Sequence, residues 1–533
     1  MARTTPRPPP THTQTLQTIV RQCPCCGEPM WAAYHNYRTI TTLEAIMRLT
    51  LQIRRCLNPA CPQVRKPYRP EAEGRLALPK HEFGLDVLTF IGTQRYAHHH
   101  SVPTIHQALR ERGLAGAPRT VTHLLERYDA LVALSRQDTA RLQRLTQPQG
   151  RVILALDGLQ PDVGQEVLWG LRDCLSGEVL LARSLLSATH PDLAALIREV
   201  KQALEVPIGG VITDGQLSIR AAVAQAFPEV PHQLCHFHYL QEAAKPIYEA
   251  DRHAKKVLKK YVRGVRPLER AVEGDAPSPR PRSSGGTAAP FGVPLPTMAD
   301  RLWRLPVSNS TTASMPLPRE PGAGGKKGAL PKALRRLKTS LRRGLDATAA
   351  LWPEVRVASG WVQRAAHILH NDTQDPGAAV QRRRQGLLGA MEQHPAKAGT
   401  LAPAIGHFLK VSRSYWPGLC HCYSVPDLPR TKNELEQFFG AYRSHERRAT
   451  GRKVASPAVV LRGAVRLVAY AATRLRPFTS EELAPHTVSA WQELRHTLET
   501  RRHQRTQRRR FRRDPAAYLA TLEADLLKLI LPP

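Results

Sequence analysis

Acidic residues and long apolar runs are what this sequence has least of. Its 533 residues set 44 aspartates and glutamates against 77 lysines and arginines, a formal net charge of +33 with a pI near 10.4. So large a basic excess says little about fold and much about partners: polyanionic nucleic acid suits it, and a basic solvated surface or a ribosomal-type protein is the plainer alternative. No apolar run reaches the roughly 18 residues of a membrane-spanning helix, so no membrane association is expected. The opening residues, MARTTPRPPPTHTQ, carry basic side chains without the apolar segment of a secretory signal. No internal period of roughly 20–50 residues marks a repeat array. Cysteines number only nine and most fall in close clusters, the usage of an intracellular chain that spends thiols on metal rather than disulfides. The expectation is a cytoplasmic, nucleoid-associated bacterial protein. The length exceeds one core and suits roughly three or four domains.

Cysteine supplies the first positive signal. Cys23, Cys25 and Cys26 form one group, and Cys56 and Cys61 a second. Two thiolate pairs at such spacing can close a tetrahedral zinc site. Gly27 and the pair Asn58 and Pro59 suit the tight turns of zinc knuckles. The expected ligands are Cys23, Cys26, Cys56 and Cys61, with Cys25 a spare or an alternative. After this module, FGLDVLTFIGTQRY, VPTIHQALRERG and RTVTHLLERYDALVAL read as three helices, with Pro103 near the start of the second and Gly113 at its end. They suit a helix-turn-helix whose third helix would turn Arg119, Thr120 and His123 toward a DNA groove; a plain helical bundle is the alternative.

The stretch from Arg151 to Tyr239 changes character. RVILALDG, EVLWGLRD and EVLLARSLL are short apolar runs of the strand type, with a turn at Ser176 and Gly177. A helix is expected from Asp192 to Leu204, then a strand in GGVITDG, a helix from Leu217 to Phe227, and a last strand entering HQLCHFHYL. The order β-β-β-α-β-α-β is that of an RNase H-like α/β core. Asp157 and Asp214 each close an apolar strand and precede a glycine. In such sheets ligands gather at the carboxyl ends of strands, so the two acids are candidates for one divalent-metal site. Phosphoryl transfer at such a site needs two cations held by carboxylates, and Mg²⁺ (or Mn²⁺) takes few protein ligands.

A third acid must come from further along, and NELEQFF supplies it. On a helix Glu436 shares a face with Asn433 and Phe439, while Glu434 points elsewhere. Arg443, Arg447, Arg448 and Arg452 follow and can neutralise phosphates. Cys235 and His238 form a C-x2-H pair. As half of a zinc site they would need Cys420, His421 or Cys422; the preferred reading is a buried strand cysteine and a hydrogen-bonding histidine near the acids. Between these segments, residues 273–328 are rich in Pro, Gly and Ser and read as a disordered insertion. An apolar helix up to Leu475 would start with Ser456 as its cap and Pro457 at its first position. RRHQRTQRRRFRRD is a basic block suited to phosphate contact, and YLATLEADLLKLI an amphipathic helix suited to packing.

The ordered set of Asp157, the VITDG run with Asp214, CHFH with Cys235 and His238, and N-x-x-E with Asn433 and Glu436 resembles the DDE transposases of the Mutator-like superfamily and related bacterial insertion-sequence transposases. The resemblance covers about residues 151–240 and 430–455. It implies a catalytic core interrupted by an all-α insertion, with Asp157, Asp214 and Glu436 as the metal-binding triad and Cys235 and His238 as the family's signature pair. It also implies Mg²⁺-dependent cleavage at the ends of a mobile element, strand transfer into target double-stranded DNA, and a homodimer or higher assembly on DNA. The expected division is an arm (1–18), a zinc module (19–70), a helix-turn-helix (80–135), the core (150–240), a helical insertion (241–430), the helix with the third acid (431–480) and a basic helical tail (481–533). A DNA-binding protein that keeps the fold without chemistry, or a nuclease without strand transfer, are the alternatives.

Overall fold

The computed structural model describes residues 9–136, 138–160, 166–185, 188–261, 332–452, 457–485 and 487–530. The expected disordered insertion at 273–328 and the expected cap Ser456 lie outside them. The chain is mixed α/β with two small mixed sheets, and it divides into two compact units, Met1–Ile208 with Phe438–Pro533, and Gly209–Gln437.

In the first unit, β1 (His12–Leu16) pairs parallel to β3 (Ile46–Arg55), and β2 (Trp31–Thr41) pairs antiparallel to it. Residues 12–16 are therefore a strand, not part of a flexible arm: threonines alternating in HTQTL suit the pleat, and β3 offers the partner edge. Leu49, Leu51 and Ile53 fill the core on one face, with Leu16 and Ile40. Short α1 (Glu71–Leu76) follows, then α2 (Leu85–Tyr96), α3 (Val102–Glu111) and α4 (Pro118–Arg136). These last three match the expected trihelical segment. Ser101 caps α3 by accepting from the Thr104 amide, and Gly113, just past its end, takes a φ of +77° that suits glycine.

After α5 (Thr139–Thr146) come β4 (Val152–Leu159), β5 (Val167–Asp173) and β6 (Val179–Leu185), joined in antiparallel order. β4 does not stop at Asp157. Gly158 and Leu159 continue the ladder opposite Trp169 and Leu168, so pairing with β5 carries the strand past the acid. α6 (His190–Ala203) begins two residues earlier than the sequence suggests, because Thr189 caps it by accepting from the Asp192 amide.

The second unit takes most of β7 (Ile208–Thr213), then α7 (Leu217–Ala226), β8 (His232–Leu234), α8 (His236–Ala243) and α9 (Lys245–Tyr261). β8 pairs parallel to β7 over three residues only, and the chain turns helical at once. Cys235 is thus the N-cap of a helix and not a strand residue, a correction to the sequence reading. Beyond the undescribed stretch, α10 (Lys332–Thr348), α11 (Trp352–His370), α12 (Gly377–Gln393) and α13 (Ala402–Tyr415) continue in helix. Their core joins Trp361, Leu369, Met391, Ile405 and Phe408 to Tyr239 and Leu240 of α8.

α14 (Asn433–Thr450) runs from the second unit back into the first, which closes with α15 (Pro457–Leu475), α16 (Ser480–Leu483), α17 (Val488–Arg513) and α18 (Pro515–Ile530). Polar groups are buried among α2, α4, α14 and α15: the Tyr96 hydroxyl donates to Asp129 at 2.5 Å, and Arg466 donates to Glu446 at 2.6 Å. α18 forms as expected, but Leu519, Leu522, Leu526 and Leu527 are exposed and do not pack into this chain's core. Among the described residues no helix is long and apolar enough to cross a membrane.

Candidate metal and acid sites

Two groups of chemically able side chains stand out, and the cysteine cluster is the more complete. The sulfurs of Cys23, Cys26, Cys56 and Cys61 all lie within 4.8 Å of one another. Cys23 and Cys61 are 3.8 Å apart and Cys26 and Cys56 3.6 Å, close to the spacing of about 3.8 Å that tetrahedral zinc with bonds of about 2.3 Å requires. Each half is a tight turn. Gly27 holds φ at +75° while its amide donates to the Cys23 carbonyl, and the Cys61 amide donates to Asn58. The amides of Cys25 and Cys26 pull the Cys23 thiol down to about 7, whereas burial pushes Cys56 up to about 12. Cys25 itself is exposed. These four residues can hold zinc. Among the described residues they are the one group of three or more His, Cys, Asp or Glu that converges so closely.

The second group lies within residues 209–437. Asp214 follows β7 directly, and its Oδ1 accepts from the Gln216 amide at 3.0 Å. Gly215 has φ of +85°, and a Cβ there would run into the Tyr415 ring, so the turn that presents Asp214 needs glycine. Lys432 Nζ reaches Asp214 Oδ2 at 3.4 Å, although the lysine side chain is only 1% exposed. The Lys432 carbonyl also receives the amides of Leu435 and Glu436, which starts α14. Glu436 is therefore in the first helical turn, where the helix dipole favours an acid. It is half-buried with Oε1 3.5 Å from His238 Nδ1, while Glu434 is exposed. Burial, and then the Lys432 charge, lower His238 to about 4 against the opposing pull of Asp214. The imidazole is thus neutral at neutral pH. Cys235 is fully buried, which raises its thiol, and its amide donates to the Thr213 carbonyl.

Asp157 belongs to the first unit, within β4 opposite Gly170, and its Oδ1 accepts from the Gly158 amide at 2.8 Å. Arg119 and His123 lie one turn apart on α4, the Arg119 Nε donating to His123 at 3.3 Å, with Thr120 half-buried between them. Arg443, Arg447, Arg448 and Arg452 are exposed.

Among the described residues, Cys235 and His238 gather no close ligand group with Cys420, His421 or Cys422. Cys422 instead lies 3.9 Å from Nε2 of His236, which donates to the Leu419 carbonyl at 2.7 Å. His421 lines an open cavity of about 370 Å³ with Arg220, His232 and Gly418. Sequence reasoning missed Lys432, although the residue sits directly before the N-x-x-E run. Nothing in the local pattern marks a lysine for burial, since only the fold brings it to an aspartate 218 positions away. Compared with known proteins, the chain matches no protein-family model and no curated protein.

Proposed function

We propose that this chain is a DNA transposase that binds the terminal inverted repeats of a mobile element and catalyses metal-dependent cleavage and strand transfer. The reading takes residues 150–240 and 431–480 as an RNase H-like core. Asp157, Asp214 and Glu436 would hold two Mg²⁺ or Mn²⁺ ions, and the donor set suits them: carboxylate oxygens are the ligands hard cations prefer. Bound there, the ions would supply charge neutralisation for an in-line displacement at phosphorus. In cleavage the water oxygen forms the new bond to phosphorus, the bond to the 3′ oxygen breaks, and a proton passes to that oxygen to leave a 3′-hydroxyl. In strand transfer this hydroxyl replaces water as the attacking group.

The single observation that carries the proposal is the clustering of Asp214, Lys432, His238 and Glu436. An aspartate just past an apolar strand and a glutamate in a helix's first turn share one set of cationic and imidazole neighbours. Neutral His238 would orient Glu436, and Gly215 would fix the Asp214 turn. The charge of +33 and the exposed arginines after Glu436 supply phosphate neutralisation. The zinc module and helix-turn-helix would recognise the element ends, and a dimer would bring two ends together.

A second reading is a DNA-binding protein that has kept this arrangement without the chemistry. The contact of Lys432 with Asp214 favours it, because the lysine ammonium already balances one acid. Cleavage of end-labelled DNA carrying the element's flanks decides between them. With Mg²⁺ or Mn²⁺, cuts at the ends that vanish with EDTA and in Asp157→Asn and Glu436→Gln, but persist in Glu434→Gln, support the transposase. End binding with no cut in either metal supports the second reading.

A further inference from the structure

The outer face of the three-stranded sheet β1-β3-β2 has no role in the sites above. Along the central strand the pleat alternates: Leu49, Leu51 and Ile53 are fully buried on one side, and Arg48, Thr50 and Gln52 emerge on the other. The register sets neighbours around each. Arg48 lies between Thr13 and Thr39, Thr50 between Thr15 and Tyr37, and Gln52 opposite His35. Of the four arginines in these strands, Arg38 lies on the covered side and donates to Glu73, whereas Arg48 and Arg54 have the outward parity, and no aspartate or glutamate occurs in any of the three. Tyr37 is 60% exposed, and the Arg48 guanidinium stacks over its ring at 5.1 Å.

We propose that this face is a DNA-reading surface in its own right, seated in the major groove of duplex DNA with Arg48, Thr50 and Gln52 against base edges. The inference rests on the DNA-binding reading above and adds a second reading element to the helix-turn-helix. Dimensions favour it. The outer strand axes lie about 10 Å apart, so the central strand can turn its side chains into a groove about 12 Å wide while the edge strands face the phosphate walls. Side chains two apart on a strand are separated by roughly 6.7 Å, about two base-pair steps.

The chemistry agrees. Arginine pairs with the O6 and N7 of guanine, glutamine with the N6 and N7 of adenine, and a threonine methyl packs on that of thymine. Thr13, Thr15, Thr39 and His35 flank the row with groups suited to phosphate oxygens. Tyr37 holds Arg48 in place, so less side-chain freedom is lost on binding. The same stacking covers one side of the Tyr37 ring, which argues against a platform for unpaired bases. Cys56 directly follows β3, so the cysteine cluster anchors the strand that does the reading.

The test is selection of binding sites from a pool of randomised duplexes by the full chain, with Arg48→Ala, Gln52→Ala and Arg119→Ala run beside the wild type. The wild type should recover a site with two blocks of preferred bases. Arg48→Ala and Gln52→Ala should each erase preferences in one block and weaken binding to the full site about ten- to a hundredfold. Arg119→Ala should erase preferences in the other block. Zinc content and thermal unfolding of the variants should match the wild type, since none of the three side chains belongs to the buried core. Gln52→Glu, which keeps shape but repels the groove, is the substitute if an alanine variant unfolds. Recovery of the complete wild-type site by Arg48→Ala and Gln52→Ala would overturn the proposal while leaving DNA binding intact. A wild type that selects no sequence would overturn both, and so would tighter binding to single strands than to any duplex.

Discussion

Lys432 Nζ sits 3.4 Å from Asp214 Oδ2, with the lysine side chain almost wholly buried and the aspartate partly open to solvent. Lys432→Met should destabilise the second unit by about 1–3 kcal/mol, less than a fully buried pair would lose because Asp214 retains some solvent. Urea unfolding of both single variants and of Lys432→Met with Asp214→Asn checks this. A favourable coupling should appear in the cycle, and additive losses would mean the pair contributes nothing.

Gly215→Ala should be disproportionately harmful for so small a change. The left-handed backbone strains any β-carbon, and the Tyr415 ring occupies the space it would need. A loss of about 2 kcal/mol or more is expected, relieved in part by Tyr415→Ala. Thermal unfolding of the two single variants and the double variant measures it.

The cysteine cluster predicts about one zinc per chain in metal analysis, lost in Cys26→Ser and Cys56→Ser and retained in Cys25→Ser. Since zinc must displace the thiol protons, and Cys56 without metal holds its proton up to about 12, affinity should fall steadily as pH falls. Release followed with a chromophoric chelator from pH 8 to 5 reads this directly, and a flat profile would contradict thiolate ligation.

Acid should unfold the second unit through its histidines. Burial holds His232, His236 and His238 near a pKa of about 4, below the ordinary value near 6.5. The unfolded chain therefore binds protons that the folded chain refuses. Stability present above about pH 6.5 is lost as pH falls toward 4. His236→Gln, which preserves a donor to the Leu419 carbonyl, should flatten part of that decline in pH-dependent unfolding.

Much of the architecture is legible locally. The helices after Phe83 and the succession of strands and helices after Arg151 follow from apolar period and capping residues, which act over a few positions. The end of β4 was not legible, because pairing with β5 set it and not the Asp157-Gly158 sequence. Cys235 was misplaced for a related reason: an apolar run does not reveal that its strand pairs for three residues and then gives way to a helix.

The sequence by itself determined which chemistry the chain can offer: thiols at zinc spacing, acids next to strand and helix signals, and a charge suited to nucleic acid. Those are properties of residue type and short spacing. The four cysteines expected from spacing do converge, with Cys25 left outside, but only the tertiary structure decided that Lys432 lies on Asp214 and His238 on Glu436. It also set the strand register that places Thr13 and Thr39 beside Arg48 and Tyr37 beside Thr50. These are contacts between residues far apart in the chain, made by burial and strand pairing, and no local pattern encodes them.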